Sequence, residues 1–165
     1  MINYEIERKF ILGDIEIPLE LYNCKIIEIE QHYITSKNND IEVRIRKIND
    51  NEYYQTIKEG SGIKRSEIEI EISKEQYEEL LKYSKSSIKK YRYELVYDGN
   101  TIYIDTYDCN LYGLNTVEVE FSTIEEGNKY SIPEWFGEEV TYNKEYKNKN
   151  LSYMKYEKGA LYDFN

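Results

Sequence analysis

The sequence predicts a mainly β domain in which eight antiparallel strands can close into a barrel, with helices packed outside and a short helical segment near the C-terminal end. Three observations predict it. Apolar and charged residues alternate over five to eight positions in eight separate segments, the period of a strand with chemically different faces. Short connections between several of these segments carry turn residues that suit antiparallel hairpins. The chain also holds 19 tyrosines and only 2 prolines, a composition that leans towards strands. Its 165 residues fit one domain spanning 1–165.

The alternating segments run over 4–12, 26–35, 41–48, 52–58, 64–72, 90–97, 101–107 and 116–121. Asn49-Asp50-Asn51, Glu59-Gly60-Ser61-Gly62 and Asp98-Gly99-Asn100 supply turns, so the strands should largely form a meander. Ser73 followed by Gln76 is a capping-box signal for a helix reaching about Tyr83, and Thr123 with Glu126 repeats the signal. After Pro133 the pattern turns helical or irregular, and short helices are expected on the barrel's exterior or across one mouth.

Charge and composition exclude several classes. A net charge of -10 argues against non-specific attraction to nucleic acid or an anionic membrane. Cys24 and Cys109 form no close pair and His32 is the only histidine, which disfavours a zinc or histidine-based site and leaves a hard, oxygen-bound metal. No apolar run approaches a signal peptide or membrane span, so a cytoplasmic protein is expected.

Side chains two apart on a strand share a face, and this sorts the charges. Glu5, Glu7 and Lys9 lie together; so do Glu42, Arg44 and Arg46, then Lys58 with Thr56, then Arg65, Glu67 and Glu69. Lys90, Arg92 and Glu94 share a face, Asp105 lies opposite Ile102 and Ile104, and Glu118 with Glu120 oppose Val117 and Val119. These faces can be the solvent side of an ordinary sheet. Neighbouring like charges, Arg44 with Arg46 and Glu118 with Glu120, repel unless an opposite charge sits among them, which favours an inward face around a ligand. The carboxylates Glu5, Glu7, Glu118 and Glu120 offer oxygen ligands for magnesium or manganese. Lys9, Arg44, Arg46, Lys58 and Arg92 offer charge-assisted hydrogen bonds to phosphate oxygens. Together they describe a metal-phosphate complex.

Glu5-Ile6-Glu7-Arg8-Lys9 matches a Glu-x-Glu-x-Lys signature, and its company strengthens it. Glu42-Val43-Arg44-Ile45-Arg46, Lys58, Arg65 with Glu67 and Glu69, Lys90-Tyr91-Arg92, Ile104-Asp105 and Val117-Glu118-Val119-Glu120-Phe121 follow in order. With Phe136-Gly137-Glu138-Glu139-Val140-Thr141 and Tyr146-Lys147-Asn148 near the end, the chain resembles the CYTH superfamily, the triphosphate tunnel metalloenzymes, and its small bacterial inorganic triphosphatases. The resemblance implies a closed eight-stranded tunnel in which a divalent metal, Mg2+ or Mn2+, assists hydrolysis of tripolyphosphate to pyrophosphate and phosphate. It implies metal ligation by Glu5, Glu7, Glu118 and Glu120, and phosphate binding by Lys9, Arg44, Arg46, Lys58, Lys90 and Arg92. A metal-activated water is the expected nucleophile, which gives Glu5, Glu7, Glu120 and Lys9 catalytic parts. Arg65, Glu67, Glu69, Asp105, Lys144 and Lys147 are further candidates, with Asp105 equally an arginine's structural partner, the two glutamates read first as partners of tunnel cations, and the two lysines read first as solvated helix residues.

The same tunnel suits thiamine triphosphate or nucleoside triphosphates, or the cyclisation of ATP by a class IV adenylyl cyclase. A non-catalytic polyphosphate-binding module is a different class of reading, and an acidic barrel with a partner-binding surface a third. The expected partner is a small-molecule triphosphate, with neither nucleic acid nor membrane, and the expected assembly a monomer or homodimer.

Overall fold

The computed structural model describes residues 3–12 and 24–164. Eight strands close a ring: β1 (Asn3–Leu12), β2 (Lys25–Tyr33), β3 (Glu42–Ile48), β4 (Glu52–Glu59), β5 (Lys64–Glu71), β6 (Ser86–Tyr97), β7 (Asn100–Tyr107) and β8 (Asn115–Glu120). Their order is β5-β4-β3-β2-β6-β7-β8-β1, and β1 pairs back onto β5 so that no edge of the ring stays open. Every pairing is antiparallel. The hairpin turns fall where the turn residues predict. Asn49, Asp50, Asp98 and Gly99 all take positive φ, the backbone that tight hairpin turns require.

The barrel is inverted relative to an ordinary one, with charges inside and the apolar faces outside. Phe10, Ile102, Ile104, Val117 and Val119 point outward from β1, β7 and β8 and are sealed by Trp135 and Phe136. A second cluster joins Leu111, Leu114, Leu151 and Met154 to Tyr33, Ile88 and Tyr107, which stand on the inward faces of β2, β6 and β7, and so closes one end of the barrel. Helix α1 (Lys74–Leu81) covers Ile45 and Ile72 with Tyr77. Its capping box forms in full, Ser73 Oγ accepting from Gln76 N and the Gln76 side chain accepting from Ser73 N. Helix α2 (Ile124–Lys129) starts on Thr123, whose hydroxyl accepts from Glu126 N, and packs near β1. There Gly127 lies so close to Ile63 that a Cβ would stand 3.0 Å from it.

Beyond Pro133 the helical content is a 3-10 turn at Lys144–Tyr146 and the four-residue helix α3 (Asn148–Leu151). The structure adds strands that the sequence pattern does not announce. β9 (Phe136–Glu139) extends the sheet along β1, and β10 (Met154–Glu157) pairs with β11 (Ala160–Asp163) in a hairpin. Each has only four residues, too short for alternation to register. The hairpin turns at Lys158-Gly159, both at positive φ, and packs Met154 and Leu161 on the second cluster.

Residues 140–149 lie across the end of the barrel where the β2–β3 and β4–β5 connections emerge. Lys147 Nζ donates to Gly60 O at 3.0 Å, and Lys149 Nζ donates to Asn39 O. Arg8, the outward member of the β1 motif, fixes the approach to this crossing. Its guanidinium forks onto Glu139 at 2.6 and 2.9 Å and donates to Gly127 O.

Candidate active site

Inside the ring lies a polar cavity of about 280 Å³. Alternation delivers its lining. β1 gives Glu5, Glu7 and Lys9; β3 gives Glu42, Arg44 and Arg46; β4 gives Lys58; β5 gives Arg65, Glu67 and Glu69. β6 gives Lys90, Arg92 and Glu94, β8 gives Glu118 and Glu120, and the crossing segment adds Thr141, Lys147 and Asn148.

So many buried charges are tolerable only in close opposite-sign contact, because desolvation of each ion costs several kcal/mol. The structure supplies that contact. Glu5 accepts from Lys58 Nζ at 2.8 Å with both oxygens and from Arg65 Nη2 at 2.9 Å. Burial raises the Glu5 carboxyl, but Lys58 and Arg65 outweigh it and hold it at about 2. Lys58 also pairs with Glu67 at 2.6 Å. Arg65 also bonds Glu7, yet burial and the adjacent Glu5 carboxylate push the Glu7 carboxyl up to about 7. On β8, Glu118 takes Lys9 at 3.0 Å and Arg92 at 2.5 Å, which together outweigh burial and hold it well below the usual range.

Asp105 is fully buried on the inward face, where it is the register partner of Arg92 and lies beneath the cavity lining. It holds Arg92 through two bonds of 2.7 Å and Lys90 at 2.5 Å. Burial and the Arg92 charge lower the Lys90 ammonium to about 8. Arg46 meets Glu69 at 2.9 Å, and Thr56 donates to the same carboxylate at 2.7 Å. Arg44 has a looser partner, Glu42 at 3.8 Å. The Nε atoms of Arg44 and Arg46 are buried with no hydrogen-bond partner among the described residues. Such donors in a cavity are matched by an anion's oxygens.

The sequence-selected residues therefore divide. Glu5, Glu7, Lys9, Arg44, Arg46, Lys58, Arg65, Glu67, Glu69, Lys90, Arg92, Glu118, Glu120 and Lys147 line one cavity. Asp105 lies beneath its lining, and Lys144 is exposed in its 3-10 turn. Pattern reading passes over Tyr103, whose ring lies 4.4 Å from the Arg92 guanidinium, and over Asn148 and Tyr107 beside Lys9. It also does not mark β2, where the phase is reversed. Glu28 and Glu30 face outward to Lys89 and Lys47 at 2.9 Å each, while Ile27, Ile29 and Gln31 face the cavity.

For a divalent cation, the donor chemistry fits. Glu7 lies directly opposite Glu120 in the β1–β8 register, and both carboxyls are raised, the latter by burial and then by Glu5. Two carboxyls held above their normal range mark negative charge without enough compensation, which a cation relieves. Among the described residues no three acidic side chains yet converge as a metal cage, because Lys58, Arg65, Lys9 and Arg92 engage them.

The chain is similar to known proteins over most of its length. A CYTH domain family model matches residues 3–155. The chain is 37% identical to an inorganic triphosphatase of Nitrosomonas europaea over 150 residues, covering 90% of this chain and 96% of the relative. It is 35% identical to an inorganic triphosphatase of Acetivibrio thermocellus over 150 residues, covering 89% and 92%. A crystal structure of an inorganic triphosphatase superposes with a TM-score of 0.65 at 34% identity, covering 90% of this chain and 93% of that one. At 16% identity a Hippeastrum protein shares the fold, with a TM-score of 0.57 over 75% of this chain and 82% of that one.

Proposed function

This chain belongs to the CYTH domain family, and from that premise we propose that it is a divalent-metal-dependent triphosphatase that hydrolyses inorganic tripolyphosphate to pyrophosphate and phosphate. The observation that carries the reading is the meeting of two charge sets around one cavity. Arg44 and Arg46 line it from β3, and the glutamates of β1 and β8 line it from their shared edge.

Arg44, Arg46, Lys58, Lys90 and Arg92 hold the phosphate oxygens, and Lys147 reaches the cavity from the crossing segment. Their fixed charges are worth more inside the barrel than in water, and they stabilise the charge that gathers on the transferred phosphoryl and the leaving pyrophosphate. Glu5, Glu7, Glu118 and Glu120 would hold magnesium or manganese, both of which favour oxygen donors. When bound, such an ion supplies charge neutralisation and a more acidic water. Asp105 fixes the positions of Arg92 and Lys90 by pairing with both on the inward face. Each cation that turns to phosphate releases a carboxylate, and each carboxylate so released becomes a ligand. Action in the cytoplasm, as a monomer or homodimer, belongs to the same reading; the free cysteines Cys24 and Cys109 support a reducing compartment.

One observation favours a second substrate class. Ile27, Ile29 and Ile48 with Tyr103 give the cavity an uncharged sector suited to an organic group on the triphosphate. Phosphate release from tripolyphosphate, thiamine triphosphate and ATP, each with magnesium, manganese or a chelator, separates these readings. Metal-dependent release that is fastest from tripolyphosphate is expected. A preference for the organic substrates moves the assignment to them, and no release with any substrate leaves a binding module.

A further inference from the structure

Lys9 sits near the end of the cavity that residues 140–149 cross, and its ammonium has an acceptor for each of its three N–H groups. These are Glu118 Oε1 at 3.0 Å, Tyr107 Oη at 3.3 Å and Asn148 Oδ1 at 3.3 Å. A lysine ammonium only donates, so the Asn148 atom facing it is the carbonyl oxygen and not the amide nitrogen. That fixes the next bond. Tyr107 Oη and Asn148 Oδ1 are 2.6 Å apart, and the phenol must be the donor. Burial pushes the Tyr107 hydroxyl up to about 12, so it keeps the proton that this bond needs.

The three acceptors differ in kind. Glu118 is a carboxylate in the set that would ligate a metal, whereas Tyr107 and Asn148 are neutral. Resting on the triphosphatase reading, we propose that Tyr107 and Asn148 are positioning residues that grip two N–H groups of Lys9 and aim the third at a substrate phosphate oxygen when Glu118 turns away. Neutral acceptors can do this without cancelling the lysine's charge, which a second carboxylate would do. Asn148 opens α3, so a segment beyond the eight-stranded ring thereby supplies part of the site. The bonds from Lys147 to Gly60 O and from Asn150 Nδ2 to Lys144 O hold that segment in place.

The test is a cycle through Lys9. Tyr107→Phe and Asn148→Ala are made alone and in a Lys9→Met background, with circular dichroism confirming the fold of each. The protein is assayed with tripolyphosphate and magnesium, and the affinity for imidotriphosphate, a slowly hydrolysed analogue, is measured by calorimetry. Each single variant should lose about tenfold in kcat/KM, the size expected for one charge-assisted hydrogen bond, and should weaken analogue binding. In the Lys9→Met background neither change should cost anything further in either readout. An equal loss with and without Lys9, or no loss in its presence, overturns the proposal. If the wild-type protein releases no phosphate, the hydrolytic reading fails on its own, and the coupling to Lys9 still stands or falls on analogue binding.

Discussion

Glu5 and Glu7 stand two positions apart on one strand, yet their surroundings drive their carboxyls in opposite directions. Glu5 is held at about 2 and Glu7 is raised to about 7, each from an ordinary value of 4.5. The sign follows from proton counting. Between 4.5 and 7 the folded protein keeps a proton on Glu7 that the unfolded chain has released, so stability falls as pH rises through that window. The penalty reaches at most ~3 kcal/mol at 1.36 kcal/mol per unit. Glu5 does the reverse, adding stability above 4.5 that is lost as pH falls towards 2. In chelator, Glu7→Gln is therefore expected to raise the melting temperature at pH 8, with the gain shrinking as pH falls and vanishing below 4.5, while Glu5→Gln lowers it at pH 7. Thermal melts across pH check this, and a Glu7→Gln protein less stable than wild type at pH 8 would refute it. Both glutamates are legible in the sequence because alternation puts them on one charged face. Tyr107 and Asn148 are not, since their use depends on Lys9, 98 and 139 positions away.

Elements were readable where local chemistry decides them. The capping box of α1 needs only Ser73 and Gln76, and both of its bonds form. Ser73→Ala should cost ~1 kcal/mol of stability, the usual worth of such a cap. Turnover should be unaffected, because α1 packs on the outer face of the barrel against Ile45, away from the cavity. Denaturant unfolding alongside the phosphate assay tests this, and a Ser73→Ala protein of normal stability but poor turnover would show that α1 reaches the site. Three strands escaped for a physical reason: β9, β10 and β11 have four residues each, too few to display a period. β6 is legible over 90–97 but begins at Ser86, because pairing with Tyr33 carries its ladder past the alternating run. The phase of β2 follows its neighbours: its outward glutamates meet Lys89 and Lys47, cross-strand partners that a single segment cannot reveal.

At the scale of the molecule, the cavity holds most of its cations and carboxylates in mutual contact, so a metal ion or a polyanion alone finds few of its ligands free. Each must break ion pairs whose other half is then left buried and unpaired, a costly state. Adding both at once exchanges one set of pairs for another. Magnesium with tripolyphosphate should consequently raise the melting temperature by more than the sum of the separate shifts, through preferential binding to the folded state. Melts under the four conditions measure it, and additive shifts would argue against a shared site. Barrel closure was legible through the family resemblance, since alternation alone also allowed an ordinary sheet with a solvent-facing charged side, whereas strand register and the crossing of residues 140–149 depend on contacts between distant parts of the chain. The reversed stave, β2, bears on the same balance. Hydrocarbon from Ile27 and Ile29 borders the bore beside Arg92 and Lys90, their register partners. A wall that cannot polarise or admit water leaves the lines of force from those two cations unscreened on that side, so they reach across the bore. A strand that lines the bore without charge thus acts as an insulator that lends range to the charges next to it.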